Sequence, residues 1–194
     1  MNNYIQSLVD SKKLKKSIEP NRWKFDSNPY IISGPCSVES EEMIVDWAHK
    51  MKNSGVNALR GGAYKPCTYP ITEEIGKNGW KEGLREDGLK FLKTAREETG
   101  LPIVSEIMDS NQITESTMDC IDIVQVGTRN FQNYTLLDAL GELDIPILLK
   151  RGTWGTIDEI LGAVERILVR GNEKVAICLR GVVGAPSYRH VFPS

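Results

Sequence analysis

Short runs of β-branched and aliphatic residues recur along the chain, at Tyr30 to Ile32, Val56 to Leu59, Ile103-Val104, Ile121 to Val126, Ile147 to Leu149 and Val175 to Cys178. Each is continuous rather than alternating, as in a strand covered on both faces. Between the runs, apolar residues return at helical spacing: Met43, Ile44, Trp47 and Met51; Leu89, Leu92 and Ala95; Leu136, Leu137 and Leu140; and Ile157, Ile160, Leu161, Val164, Ile167 and Leu168. Such stripes predict helices with one buried face.

The punctuation supports these elements. Thr156 and Glu159 form a T-x-x-E capping box ahead of the last stripe, and Gly55, Gly100 and Gly171 follow helical stretches as C-terminal caps. Pro102 and Pro146 open strands, where a missing N–H is tolerated. The pattern predicts an α/β chain with a parallel sheet and six β/α steps, starting near positions 30, 56, 102, 121, 146 and 175. Residues 1–28 read as a polar N-terminal extension, and Tyr64 to Glu82, rich in Pro, Gly, Thr and Lys, as a long functional loop.

With 40% hydrophobic and 26% charged residues and a net charge of −2, the chain is neither disordered nor a polybasic nucleic-acid binder. Affinity for an anion must therefore come from local clustering. The four cysteines, Cys36, Cys67, Cys120 and Cys178, are scattered, which suits a reducing compartment. No signal-peptide core and no stretch of ~18 apolar residues occurs, so a cytoplasmic protein without a membrane partner is expected. Lys12, Lys13, Lys15 and Lys16 read as a solvated helix face, with a targeting peptide as the alternative.

In parallel α/β folds ligands gather beyond the C-terminal ends of the strands. The residues there are Cys36, Arg60 with Lys65, Glu106, Arg129, Lys150 with Arg151, and Arg180, so four of the six strand ends carry a cation. Convergent cations make sense around a small molecule bearing phosphate or carboxylate, which Arg can grip with two parallel hydrogen bonds. Gly61-Gly62, Gly127, Gly152 and Gly181 would let backbone N–H groups come close to it. Each residue also has a plainer reading. The cations can be salt-bridge partners, Glu106 a neutraliser of one of them, and Cys36 a small buried hydrophobe instead of a metal ligand. His49 reads as a surface residue, and Trp47, Trp80 and Trp154 as packing groups.

Taken in order and spacing, GPCSVES, LRGGAYKPCT, SEIMD, QVGTRNFQN, ILLKRG and CLRG resemble the 3-deoxy-D-arabino-heptulosonate 7-phosphate (DAHP) synthase family in its short bacterial-type branch, over about residues 28 to 181. The 3-deoxy-octulosonate 8-phosphate synthases are a related group. The resemblance implies a (β/α)8 TIM barrel, here with six units, that condenses phosphoenolpyruvate with erythrose 4-phosphate and water at the start of the shikimate pathway to aromatic amino acids. It implies that Lys65 is catalytic. It also implies that Arg60, Glu106, Gly127, Thr128, Arg129, Lys150 and Arg180 surround phosphoenolpyruvate, Thr68 serves the aldose, and Cys36 is one ligand of a divalent metal ion.

Two features depart from that pattern. Cys67 stands where the family usually has an Arg for the phosphate of the aldose, so the aldose phosphate stays open, with Lys77 or Lys81 as compensating cations. The family's other metal ligands belong to a seventh and an eighth strand with a D-x-S-H motif that is not present here, and His190 does not match it. A barrel of eight units takes ~250 residues, against 194 here. Residues 29–194 are thus expected to be an incomplete barrel domain: a fragment of a longer enzyme, a degenerate paralogue that binds phosphate compounds without full catalysis, or a barrel completed by a second polypeptide. Unpaired edges also lead to the expectation of a homo-oligomer. No separate regulatory domain is expected ahead of the first strand.

Overall fold

The computed structural model describes residues 29–67, 83–183 and 191–192. The chain divides between Val124 and Gln125 into two compact units. In the first, β1 (Ile32–Ser33), β2 (Ala58–Arg60), β3 (Ile103–Glu106) and the start of β4 (Ile123–Val126) follow one another in the sheet in chain order. The pairing is parallel, with Ile32 beside Ala58, Leu59 beside Ile103 and Arg60 beside Val104. Parallel neighbours require crossovers. These are α1 (Glu41–Asn53), α2 (Arg85–Thr99) and α3 (Glu115–Cys120).

Each helix begins and ends where its chemistry dictates. The Ser40 hydroxyl accepts the Met43 N–H at 3.1 Å, Glu41 and Glu42 fill the first turn of α1, and Lys50 and Lys52 fill its last. Both charge placements favour the helix dipole. α2 closes on Gly100 in the left-handed conformation, and its buried face carries Leu89, Leu92 and Ala95. An ion pair with little exposure locks α2 to the strands: Asp122 accepts the Ile103 N–H at 2.8 Å and lies 3.4 Å from Arg96.

In the second unit the end of β4, then β5 (Ile147–Lys150) and β6 (Val175–Cys178), again follow chain order, with β5 and β6 parallel and Ile147 beside Val175. The intervening helices are α4 (Tyr134–Gly141) and α5 (Ile157–Leu168). The expected capping box is present, since the Thr156 hydroxyl accepts the Glu159 N–H at 3.1 Å and the Glu159 carboxylate accepts the Thr156 N–H at 2.7 Å. Ile160, Ala163, Val164, Ile167 and Leu168 of α5 are buried, as are Leu136, Leu137 and Leu140 of α4. On the outside Asp138 bridges Arg166 and Arg170, and the hydrogen bond from Arg166, ahead of that from Arg170, holds its carboxyl below the ordinary range. A short antiparallel pair, β7 (Val182–Val183) and β8 (Val191–Phe192), follows β6.

The predicted class, α/β with six parallel β/α steps of the TIM-barrel kind, is the one observed. Three aromatic or apolar expectations need correction. Trp47 is 39% exposed, with the Lys50 ammonium 5.8 Å from its ring, because Ile44 and Ala48 supply the inward face of α1. Trp154 is 59% exposed and meets Phe131 on one side, with ring centres 6.0 Å apart. Ile157 is exposed at the first turn of α5, before the helix reaches its partner. Trp80, Thr68, Lys77, Lys81 and His190 lie outside the described residues.

Candidate functional site

The first unit brings Cys36 and Arg60 together. Arg60 ends β2, and its Nη2 lies 4.0 Å from the exposed Cys36 Sγ. The segment after β1 is held close to the segment after β2 by the Val38 N–H, which donates to the Gly62 carbonyl at 3.0 Å. Lys65, half-buried, follows five residues past Arg60, and Glu106 ends β3 with 7% exposure. Cys67 is also half-buried.

Among the described residues no group of three or more His, Cys, Asp or Glu side chains could hold a metal ion. Cys36 faces a guanidinium, which disfavours a cation beside it. One thiol does not make a divalent site, so the described residues do not fit the metal that the resemblance implies.

The same unit holds a feature the sequence did not announce. A cavity of about 510 Å³ is lined by Tyr64, Leu84, Arg85, Glu86, Asp87, Met108 and Gln112. Tyr64 directly precedes Lys65, and Met108 lies two residues beyond Glu106, so the cavity sits at the C-terminal ends of β2 and β3. Burial, and then the Glu86 charge, push the Tyr64 phenol up, with Arg85 opposing. Among the described residues Arg85 is the one non-glycine at positive φ, 53°. That conformation costs an ordinary side chain about 1–2 kcal/mol. It is held by the Arg85 N–H, which donates to the Ala63 carbonyl at 2.8 Å, and by Gly83 at φ 84°, where a Cβ would strike the same carbonyl. The available signal was a helix start without a capping side chain, Leu84, directly after a glycine.

In the second unit the ends of β4, β5 and β6 are tied to one another. Gly127 is buried and starts the turn Thr128–Asn130, which presents Arg129 to solvent. Arg180 donates through Nη1 to the Thr128 hydroxyl at 2.9 Å. Lys150, half-buried, ends β5. Its neighbour Arg151 is 2% exposed and donates to the Gly155 carbonyl at 2.8 Å and to the carbonyl of Arg180. Arg151 therefore fastens the backbone after β5 to that after β6 and is not a surface cation. Gly152 has no room for a side chain, because Phe131 fills the space a Cβ would take.

Comparison with known proteins follows the same motifs. The model of the DAHP synthetase I family matches residues 22–190. The chain belongs to that family. It is 41% identical over 152 residues to a phospho-2-dehydro-3-deoxyheptonate aldolase of Thermotoga maritima, an alignment that covers 78% of this chain and 42% of the relative. A 2-dehydro-3-deoxyphosphooctonate aldolase of Syntrophotalea carbinolica is 27% identical over 151 residues, covering 78% of this chain and 54% of that protein. The crystal structure of the Thermotoga DAHP synthase superposes with a TM-score of 0.71 at 39% identity, covering 81% of this chain and 44% of that one. A truncated form of the Thermotoga synthase gives 0.67 at 37% identity, covering 81% and 53%. The chain thus spans about half the length of the family members it matches. No helix among its described residues is long and apolar enough to cross a membrane.

Proposed function

We propose that the chain serves the condensation of phosphoenolpyruvate with an aldose phosphate, erythrose 4-phosphate in the first place, to give DAHP and inorganic phosphate. The observation that carries this reading is the cationic corner of the second unit, where Arg180 meets Thr128 and Arg151 holds the Arg180 backbone. An Arg donating to a hydroxyl at a strand end, with Arg129 and Lys150 on the adjoining strand ends, supplies the charge-assisted donors a phosphate-carboxylate compound needs.

In this reading C3 of phosphoenolpyruvate attacks the aldehyde carbon, water adds at C2, and phosphate leaves with cleavage of its C–O bond. Negative charge moves onto oxygens at each stage, which fixed cations stabilise. In the second unit Arg129 and Arg180 serve the phosphate, Lys150 the carboxylate side, and Gly127 and Thr128 the backbone edge; in the first unit Arg60 is likewise a phosphate ligand. Glu106 offsets the charge of a cation in its own unit. Lys65 delivers the proton that turns the aldehyde oxygen into an alcohol. The setting that accompanies this chemistry is a cytoplasmic homo-oligomer, with residues 29–194 acting as the synthase domain behind the extension 1–28.

A second reading has a specific observation in its favour. Among the described residues no group of three His, Cys, Asp or Glu could hold a metal ion, and Cys36 faces a guanidinium, which favours a binder of phosphoenolpyruvate-like compounds without turnover. Mixing the chain with both substrates separates the two. Loss of phosphoenolpyruvate with release of phosphate supports the synthase, and binding without consumption supports the binder. For the synthase, Lys65→Met lowers turnover by about 10²–10⁴-fold and leaves phosphoenolpyruvate binding in place. Unchanged turnover in that variant would remove Lys65 from the mechanism.

A further inference from the structure

We infer that Arg151, itself buried, is the positioning residue for Arg180, fixing the backbone from which the Arg180 guanidinium meets the phosphate end of phosphoenolpyruvate. This rests on the proposed binding of that compound in the second unit and adds what sets the geometry there.

Arginine is a costly group to bury at this point. Arg151 is 2% exposed, its donors reach the carbonyls of Gly155 and Arg180, and its Nε has no hydrogen-bond partner among the described residues. None of those residues gives it a carboxylate. A buried guanidinium carries a desolvation penalty that carbonyl contacts alone offset poorly. An unbranched apolar side chain would fill the same space without that penalty, so stability does not explain the arginine. Its fork does, because it spans two carbonyls that lie 4 and 29 residues away.

The tie runs from a fixed turn to a strand end that packing leaves exposed. Gly155 donates its N–H to the Gly152 carbonyl at 2.9 Å, and the Phe131 ring lies where a Cβ on either glycine would stand. On the other side Ile177 and Leu179 are exposed. The Arg151 N–H donates to the Cys178 carbonyl at 3.1 Å, and its side chain extends the tie from β5 to the Arg180 backbone. The exposed Arg180 side chain then crosses to the Thr128 hydroxyl, next to Arg129. One buried fork thus registers the end of β6 against the ends of β4 and β5. A lysine ammonium is a point charge on a flexible stem and offers no such fork.

Calorimetric titration of the full chain with phosphoenolpyruvate and, separately, with inorganic phosphate tests this through a double-mutant cycle. Arg151→Met and Arg180→Ala should each weaken phosphoenolpyruvate binding by at least about tenfold. The double variant should lie within about twofold of Arg180→Ala alone, since Arg151 acts through Arg180. Arg151→Lys keeps the charge without the fork and should bind at least about fivefold more weakly than the parent. If Arg151→Met does not fold by circular dichroism, Arg151→Lys carries the same cycle. Full multiplication of the two losses overturns the inference, because a merely structural role or a charge acting alone gives that result. Parent affinity in Arg151→Met, Arg151→Lys or Arg180→Ala overturns it as well. The substrate reading is separated by the two ligands. A parent that binds inorganic phosphate with the expected coupling but no phosphoenolpyruvate keeps Arg151 in its role and removes the condensation. Phosphoenolpyruvate binding with additive losses does the reverse, and binding of neither ligand overturns both.

Discussion

Strands β3 and β6 have the same length, four residues, and begin alike, with Ile103-Val104 in one and Val175-Ala176 in the other. All four residues of β3 are buried, whereas no residue of β6 is, and Ile177 is 38% exposed with Leu179 just beyond it at 55%. The cause lies outside the strands. β3 has β2 on one side and β4 on the other, and α2 places Leu89, Leu92 and Ala95 in the core. β6 is bonded to β5, and among the described residues no further strand continues the sheet beyond it. An apolar run reports that a strand can be buried on two faces; the neighbours decide whether it is.

The difference can be broken or sharpened by mutation. Leu92→Ala, which empties a fully buried position of α2, should cost about 2–5 kcal/mol, read as a lower denaturation midpoint with an unchanged slope. A loss below ~1 kcal/mol would mean that the core around β3 collapses onto the gap. Thr156→Ala tests the second unit by a local route, through the α5 cap. About 1 kcal/mol is expected, and its absence would show that α5 is held by packing on α4 alone. Ile177→Ala on β6 should be the smallest of the three, within about 0.5 kcal/mol of the parent. A cost near that of Leu92→Ala would show that β6 is covered in solution by another polypeptide, and it should then depend on protein concentration.

The elements were largely legible in the chain because their signals are local. Thr156 and Glu159 meet within one helical turn, so T-x-x-E alone is enough to place the start of α5. Gly100 ends α2 for an equally local reason, a left-handed residue that only glycine adopts freely. The stripe of Leu136, Leu137 and Leu140 needs only the 3.6-residue period to predict its buried face. Trp47 shows where that argument stops, since its position on the stripe is marginal and the width of the buried face depends on the neighbouring helix.

The candidate site was legible as a list of strand-end cations, but not as an arrangement. Arg151 and Lys150 are adjacent in sequence, yet one is buried under two backbone carbonyls and the other ends a strand half-exposed. No pattern in K-R-G separates them, because the difference is made by the carbonyls of Gly155 and Arg180, 4 and 29 residues away. Arg85 gives no sequence signal of its own. Its φ and its cavity follow from the Ala63 carbonyl and from residues after β3.

By itself, then, the sequence determined the order and kind of elements, the caps that bound them, the family and the residue types available at the strand ends. Those properties arise from interactions within a few positions of one another, or from motifs read in line. Tertiary structure decided which apolar faces are covered, which cation became an internal fastener, and where the cavity lined by Tyr64, Arg85 and Gln112 opens. Burial and convergence join residues tens of positions apart, and the hydrophobic period along the chain carries no information about which partner arrives.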